Sequence, residues 1–181
     1  MHLIAMKGHP ATGKSTLAQA LARQQRWPLI DKDDVKDHTA NVPGGNVLAY
    51  DILWQIVETQ LRLGMSVIAD SPLSYPLSYE TVQQLANRYG AKLWVVETRL
   101  DSVVWLARLE ARGQTSANNH RIDSWADMQA LLARYDGCWN YEIAPEQHIL
   151  LDSSQPVEQL VEAVLRKRIF RTRIRRNTDE E

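Results

Sequence analysis

Leu3-Ile4-Ala5-Met6-Lys7-Gly8-His9-Pro10-Ala11-Thr12-Gly13-Lys14-Ser15-Thr16 is the stretch on which the fold turns. Leu3, Ile4, Ala5 and Met6 are a short apolar run of the kind that forms a buried strand. The run breaks at Gly8, and from there the residues follow the spacing G-x-x-x-x-G-K-S. Gly8 and Gly13 let the backbone wrap tightly with no Cβ in the way, so that successive N–H groups converge on one point. A helix opening near Ser15 adds the positive end of its dipole. Such a turn cradles phosphate. Lys14 can reach the outer phosphates of ATP, and the Ser15 hydroxyl can bind Mg²⁺. Gly8, His9, Pro10, Ala11, Thr12, Gly13, Lys14, Ser15 and Thr16 are therefore the candidate nucleotide-binding residues. His9 and Pro10 fill variable positions, and His9 is expected to be solvated with no role of its own.

Outward from this loop, strand and helix patterns alternate along the chain. Helical spacing over 15–26 places Leu17, Ala18, Leu21 and Ala22 on one face. A short strand over 28–30 ends in Asp31, Asp33 and Asp34. Pro43-Gly44-Gly45 is a turn. Asn46 is expected to cap a helix to residue 63 with Leu48, Ile52, Ile56 and Leu63 inward. A strand over 66–70, a loop to 78, a helix over 79–89 and a strand over 93–96 follow. Asp101 caps a helix to 112, and a polar segment runs from 113 to 120. Ser124 caps a helix to 135. A strand over 149–151 precedes a last helix carrying Val157, Leu160, Val161, Val164 and Leu165. Five short apolar strands between helices imply an α/β domain with a mostly parallel sheet covered on both faces. In such sheets ligands sit beyond the C-terminal strand ends.

Composition narrows the class. With 44% hydrophobic and 24% charged residues among 181, the chain fits one globular domain. No apolar run approaches the about 20 residues a membrane span needs, and Lys7 interrupts the first apolar run too early for a signal peptide. The expected location is cytoplasmic, with no membrane contact. A single cysteine, Cys138, excludes an internal disulfide and a Cys-rich zinc site, and is expected to be a small buried hydrophobe. The six tryptophans (Trp27, Trp54, Trp94, Trp105, Trp125, Trp139) lie in apolar patterns and are expected in the core. The net charge of −1 is uneven: Arg166, Lys167, Arg168, Arg171, Arg173, Arg175 and Arg176 supply 7 of the 21 basic residues, leaving residues 1–165 with 14 basic against 19 acidic side chains. Residues 1–168 are read as the domain and 169–181 as a basic extension. The extension is either paired and solvated or reaches to nucleic acid.

Three further patterns lie just after strands. Asp70, at the end of Val67-Ile68-Ala69-Asp70, is placed to hold Mg²⁺ beside Ser15. In Asp31-Lys32-Asp33-Asp34-Val35-Lys36, a carboxylate facing the γ-phosphate can take the proton of an attacking hydroxyl, with Asp31, Asp33 and Asp34 all candidates. If a helix starts here, Lys36 shares a face with Asp33 and can hold an anionic group on the acceptor. Arg108 and Arg112 are four apart on one helix, next to the polar segment and Arg121. Alone they are ordinary exposed arginines. Beside a phosphate loop they form a lid that stabilises charge in transfer. Tyr75 and Tyr79 are candidates for the acceptor pocket.

These motifs, in this order over most of residues 1–165, resemble the small P-loop kinases, a phosphotransferase group among the AAA-like ATPases. The group includes nucleoside and shikimate kinases, chloramphenicol phosphotransferase, zeta-toxin-like kinases and polynucleotide kinases. The resemblance implies strand order 2-3-1-4-5 and γ-phosphate transfer from ATP with Mg²⁺. The acidic segment is most similar to that of polynucleotide 5′-hydroxyl kinases. From these the resemblance implies Asp33 as general base, an acceptor contact at position 36, and Arg108 and Arg112 on the donor phosphates. Lys36 stands where that group has arginine, and so lacks the bidentate fork. The acceptor is thus a small molecule, a nucleoside or a polynucleotide 5′-hydroxyl. Two rival readings are a nucleotide switch and a non-catalytic ATP-binding module that acts on a partner through the basic tail. The first predicts a guanine-reading N-K-x-D segment, and the sequence has none.

Overall fold

Along β1 (His2–Lys7) successive side chains enter two different cores. Leu3 and Ala5 pack with Val57, Leu61, Val82 and Val95 on one side, while Ile4 and Met6 pack with Leu17, Leu21, Trp94 and Val161 on the other. A strand buried on both faces cannot show polar alternation, which is why it reads as an unbroken apolar run. The computed structural model describes residues 1–113, 122 and 124–178, with side chains in the last helix described as far as Lys167. After β1 come α1 (Lys14–Gln25), β2 (Leu29–Asp31), α2 (Lys32–Thr39), α3 (Gly45–Arg62), β3 (Val67–Asp70), α4 (Pro76–Arg88), β4 (Lys92–Arg99), α5 (Ser102–Gly113), α6 (Trp125–Tyr135), β5 (His148–Asp152) and α7 (Val157–Thr178).

The sheet has five strands in the order β2-β3-β1-β4-β5, as expected, and every pairing is parallel. Helices α3 and α4 cover one face, and α1 and α7 the other. The order places β1 at the centre, so the loop after it opens at the crevice where the chain turns to opposite sides.

Helix α3 departs from its expected phase. Gly44, with φ 74°, precedes it and makes no side-chain cap, and Asn46 lies inside the first turn. The buried row is Gly45, Ala49, Leu53, Val57 and Leu61, whereas Leu48, Ile56 and Leu63 are exposed and Ile52 is half-buried. Two apolar rows run side by side on this helix, and spacing alone does not choose between them. Gly45 does: a Cβ there would fall 1.8 Å from the Thr39 carbonyl oxygen, so only the row that begins with glycine can pack this close to α2. Helix α4 begins earlier than the periodicity indicated, because Pro76 suits a first helical turn.

Helix α7 runs unbroken to Thr178, through the boundary expected after residue 168. Arg166 Nη2 donates to Glu162 Oε2 at 2.9 Å. The side chains of Arg168, Arg171, Arg173, Arg175 and Arg176 lie outside the described residues. Among the described residues no helix is long and apolar enough to cross a membrane.

Candidate active site

The loop between β1 and α1 is built as its glycines require. A Cβ on Gly8 would fall 2.4 Å from Thr98 Oγ1 and 2.8 Å from Thr12 Oγ1. Gly13 enters α1 at φ 82°, a left-handed conformation that side chains resist. The loop is tied from below. Thr12 Oγ1 donates to the His9 carbonyl at 2.8 Å and lies 2.8 Å from Thr98 Oγ1, and Ser153 Oγ donates to the Thr12 carbonyl at 2.6 Å. The Thr12 side chain is therefore buried scaffold. Gly8, His9, Pro10, Ala11, Gly13, Lys14, Ser15 and Thr16 line a cavity of about 900 Å³, and Thr12 does not.

Lys14 Nζ pairs with Asp70 Oδ1 and lies 3.4 Å from Ser15 Oγ. Asp70 is fully buried, and its Oδ2 has no partner among the described residues. Among the described residues no group of three or more His, Cys, Asp or Glu side chains forms a metal cage. A carboxylate with one unsatisfied oxygen beside a serine hydroxyl suits a hard cation that takes its remaining ligands from phosphates and water. Asp31 stands beside Asp70 in the register of β2 with β3. Burial first, and then the neighbouring Asp70 carboxylate, push Asp31 up to about 6.

Helix α2, which follows β2, presents the acidic segment to the same cavity. Asp31 Oδ1 accepts the Asp33 N–H at 2.9 Å and so caps the helix. Asp33 and Lys36 both line the cavity, whereas Asp34 is exposed and outside it. Lys32, Asn46 and Tyr50 line the same wall. Tyr75 lines the cavity, but Tyr79 does not: its hydroxyl donates to Gln147 Oε1 at 2.9 Å and accepts from the Ala144 N–H at 3.1 Å, which fixes it in the core. Arg108 and Arg112 on α5 both face the cavity, and Arg108 Nη1 lies 3.5 Å from where a Gly13 Cβ would be. Arg121 lies outside the described residues.

His9 is half-buried and held by aromatic rings rather than freely solvated. Its ring stacks on Trp139 at 3.7 Å between centroids, on Trp105 at 5.2 Å and on Tyr135 at 6.1 Å, and its Nδ1 is buried without a partner. Burial, then the Lys7 charge, lower its pKa to about 4, so it is neutral at pH 7. Lys7 approaches the same Trp139, 3.5 Å from the ring centroid, and its Nζ donates to the Trp139 carbonyl at 3.1 Å. Trp105 Nε1 donates to the Pro10 carbonyl at 2.7 Å, and its ring meets Trp125 edge-on. Trp94 and Trp139 are buried and Trp27 and Trp54 pack against the two cores as expected, and Trp105 and Trp139 also grip the phosphate loop. Cys138 is half-buried.

A family model described as an AAA domain matches residues 3–135. The chain belongs to this AAA-domain family of P-loop NTPases. Its fold is that of the small P-loop kinases. It is similar to a presumed kinase of Chloroflexus aurantiacus J-10-fl, with 26% identity over 92% of this chain and 97% of that one and a TM-score of 0.73. A sugar kinase of Janibacter sp. aligns at 16% identity over 91% and 92% of the two chains with a TM-score of 0.64. A gluconokinase of Sinorhizobium meliloti 1021 aligns at 16% identity over 98% and 95%, with a TM-score of 0.63. These last two are likenesses of fold. No curated protein matches the sequence.

Two features of this P-loop NTPase were not read from the sequence. Arg134, on α6, lines the cavity beside Tyr135. It stands alone in an apolar helix, and no spacing tied it to the loop. The aromatic grip on His9 joins residues far apart in sequence, and the tryptophans' apolar surroundings matched ordinary core. Trp105 is three residues before Arg108 on α5, so its bond to Pro10 couples the phosphate loop to the arginine helix. Trp105→Phe keeps a ring and removes the donor. It is expected to weaken ATP binding about 5- to 10-fold, the worth of one hydrogen bond of about 1 kcal/mol, with the fold retained. Calorimetric titration with ATP checks this, and unchanged affinity would confine Trp105 to packing.

Proposed function

We propose that this P-loop NTPase is a kinase that transfers the γ-phosphoryl group of ATP to a hydroxyl of a small acceptor. The observation that carries the reading is that Lys14, Ser15 and Asp70 share one cavity with Asp33. The glycine loop and Lys14 bind the outer phosphates. The smaller cavity of about 190 Å³ lined by Gly13, Thr16, Arg108, Ser153, Gln155 and Val157 has room for part of the nucleoside. Asp70 and Ser15 would hold Mg²⁺, which neutralises charge on the phosphates when bound. Asp33 takes the proton of the acceptor hydroxyl, the oxygen bonds to the γ-phosphorus, and the bond from that phosphorus to ADP breaks. Arg108 and Arg112 offset the charge that spreads over the phosphoryl oxygens.

Arg112→Ala is expected to lower kcat by about 10²-fold or more while changing the KM for ATP less, since lid contacts form most fully in the transition state. Steady-state kinetics over ATP concentration checks this, and an effect on KM alone would make Arg112 a ground-state ligand. The reading as a whole is tested with labelled ATP and a panel of sugars, nucleosides, 5′-hydroxyl oligonucleotides, aminoglycosides and phenicols. Label moving to one of them supports it. ATP binding without transfer to any supports a non-catalytic module. Transfer to oligonucleotides that weakens steeply with salt would bring in the basic residues 166–176.

A further inference from the structure

The acceptor side of the cavity holds a buried charge with no counter-ion among the described residues. Lys32, the first residue of α2, is 5% exposed and lines the cavity. Its Nζ donates to Asn46 Oδ1 at 3.0 Å and lies 4.7 Å from the centre of the Tyr50 ring. It takes part in none of the ion pairs among the described residues. An ammonium has three donors, and among the described residues the side chain of Asn46 is the hydrogen-bond acceptor given to this one. Lys36, one turn on, and Lys14, both lining the same cavity, add positive charge, while Asp31 and Asp33 act from beyond ion-pair distance. Burial is the main cause that lowers Lys32 to about 8, which still leaves it mostly protonated at neutral pH.

Holding an ammonium out of water with one neutral hydrogen bond is costly, and an apolar side chain of the same length would pack there at less expense. The cost is offset if an anion arrives with the ligand. The position says which ligand: Lys32 and Asp33 line one cavity and the Asp33 charge reaches Lys32, so a group bound at Nζ lies near the hydroxyl that meets the Asp33 carboxylate. We infer that Lys32, steadied by Asn46, selects small acceptors that carry an acidic group, carboxylate or phosphate, beside the hydroxyl to be phosphorylated. This rests on the kinase reading above and deepens it.

The test uses the full chain and three matched pairs: gluconate with glucose, glycerol 3-phosphate with glycerol, and uridine 3′-monophosphate with uridine. Binding is measured by calorimetry in the presence of a non-hydrolysable ATP analogue, and transfer by ADP release. At least one anionic member is expected to bind about 10- to 100-fold tighter than its neutral partner, the worth of a charge-assisted hydrogen bond. Which pair responds tells carboxylate from phosphate. In Lys32→Met that preference falls to near one, and Lys32→Arg recovers part of it. Asn46→Asp is the second variant, because it supplies the missing counter-ion within the protein. It is expected to raise the melting temperature and to weaken the anionic ligand about tenfold or more. A neutral ligand preferred in wild type, no anionic ligand bound while the ATP analogue binds, or a preference that survives in Lys32→Met and Asn46→Asp overturns the inference. Because binding is read apart from transfer, anion selection without ADP release would sink the kinase reading and leave the role of Lys32 standing.

Discussion

Lys14→Ala is expected to abolish ATP turnover, a loss of roughly 10³-fold or more, since it removes the charge that meets the outer phosphates. The structure adds a second effect. Lys14 is the ion-pair partner of Asp70, a carboxylate that is fully buried and whose other oxygen has no partner. Alanine at position 14 leaves that charge uncompensated. The ligand-free protein is therefore expected to lose about 2 kcal/mol of stability, less than for a wholly buried pair because the Lys14 side chain is 14% exposed. The double variant Lys14→Ala/Asp70→Asn separates the two effects. It is expected to regain stability and to stay inactive. Thermal melts and ADP release measure both, and near-wild-type turnover in Lys14→Ala would overturn the assignment of the loop.

The contrast between what was legible and what was not follows from distance along the chain. The strands were readable because each is a short apolar run, β1 and β3 buried on both faces, and the phosphate loop because its glycines, lysine and serine fall within eight residues and their spacing has one physical use. The helical start at Asp31, with Asp33 and Lys36 on one face, was legible as a conditional, and the cap at Asp31 meets the condition. Asn46 looked like a helix cap because it follows two glycines. It instead reaches from α3 to Lys32 on α2, a contact made possible by the close approach at Gly45. That approach is a property of two packed helices, and neither segment alone carries it. The same holds for His9. Nothing in its local sequence distinguishes a solvated loop histidine from one stacked on Trp105 and Trp139, each brought in by a different element. Buried polar partnerships between elements are thus where local reading ends, and in this chain they surround the candidate site.

Asp33→Asn is expected to keep ATP binding and to lower transfer about 10²- to 10⁴-fold, the usual worth of a general base. Of the three aspartates, Asp34 is exposed and does not line the cavity, and Asp31 spends one oxygen on the Asp33 N–H. That leaves Asp33 as the carboxylate facing the cavity that does not cap the helix. Asp31→Asn is the control, and it is an informative one. Asparagine caps a helix about as well as aspartate, so α2 is retained. Asp31 is raised to about 6 by burial and by Asp70, so folding favours its protonated form. The stability this contributes is complete below the unfolded value near 3.8 and is lost as pH rises through about 6. Asparagine cannot ionise, and at pH 7.5 Asp31→Asn is accordingly expected to melt no lower than wild type. With stability held, its kinetics speak to chemistry alone. Transfer within a few-fold of wild type in Asp31→Asn, set against the large loss in Asp33→Asn, assigns the base to Asp33. The reverse pattern would move the base to Asp31, and Asp33 would then serve to orient the acceptor.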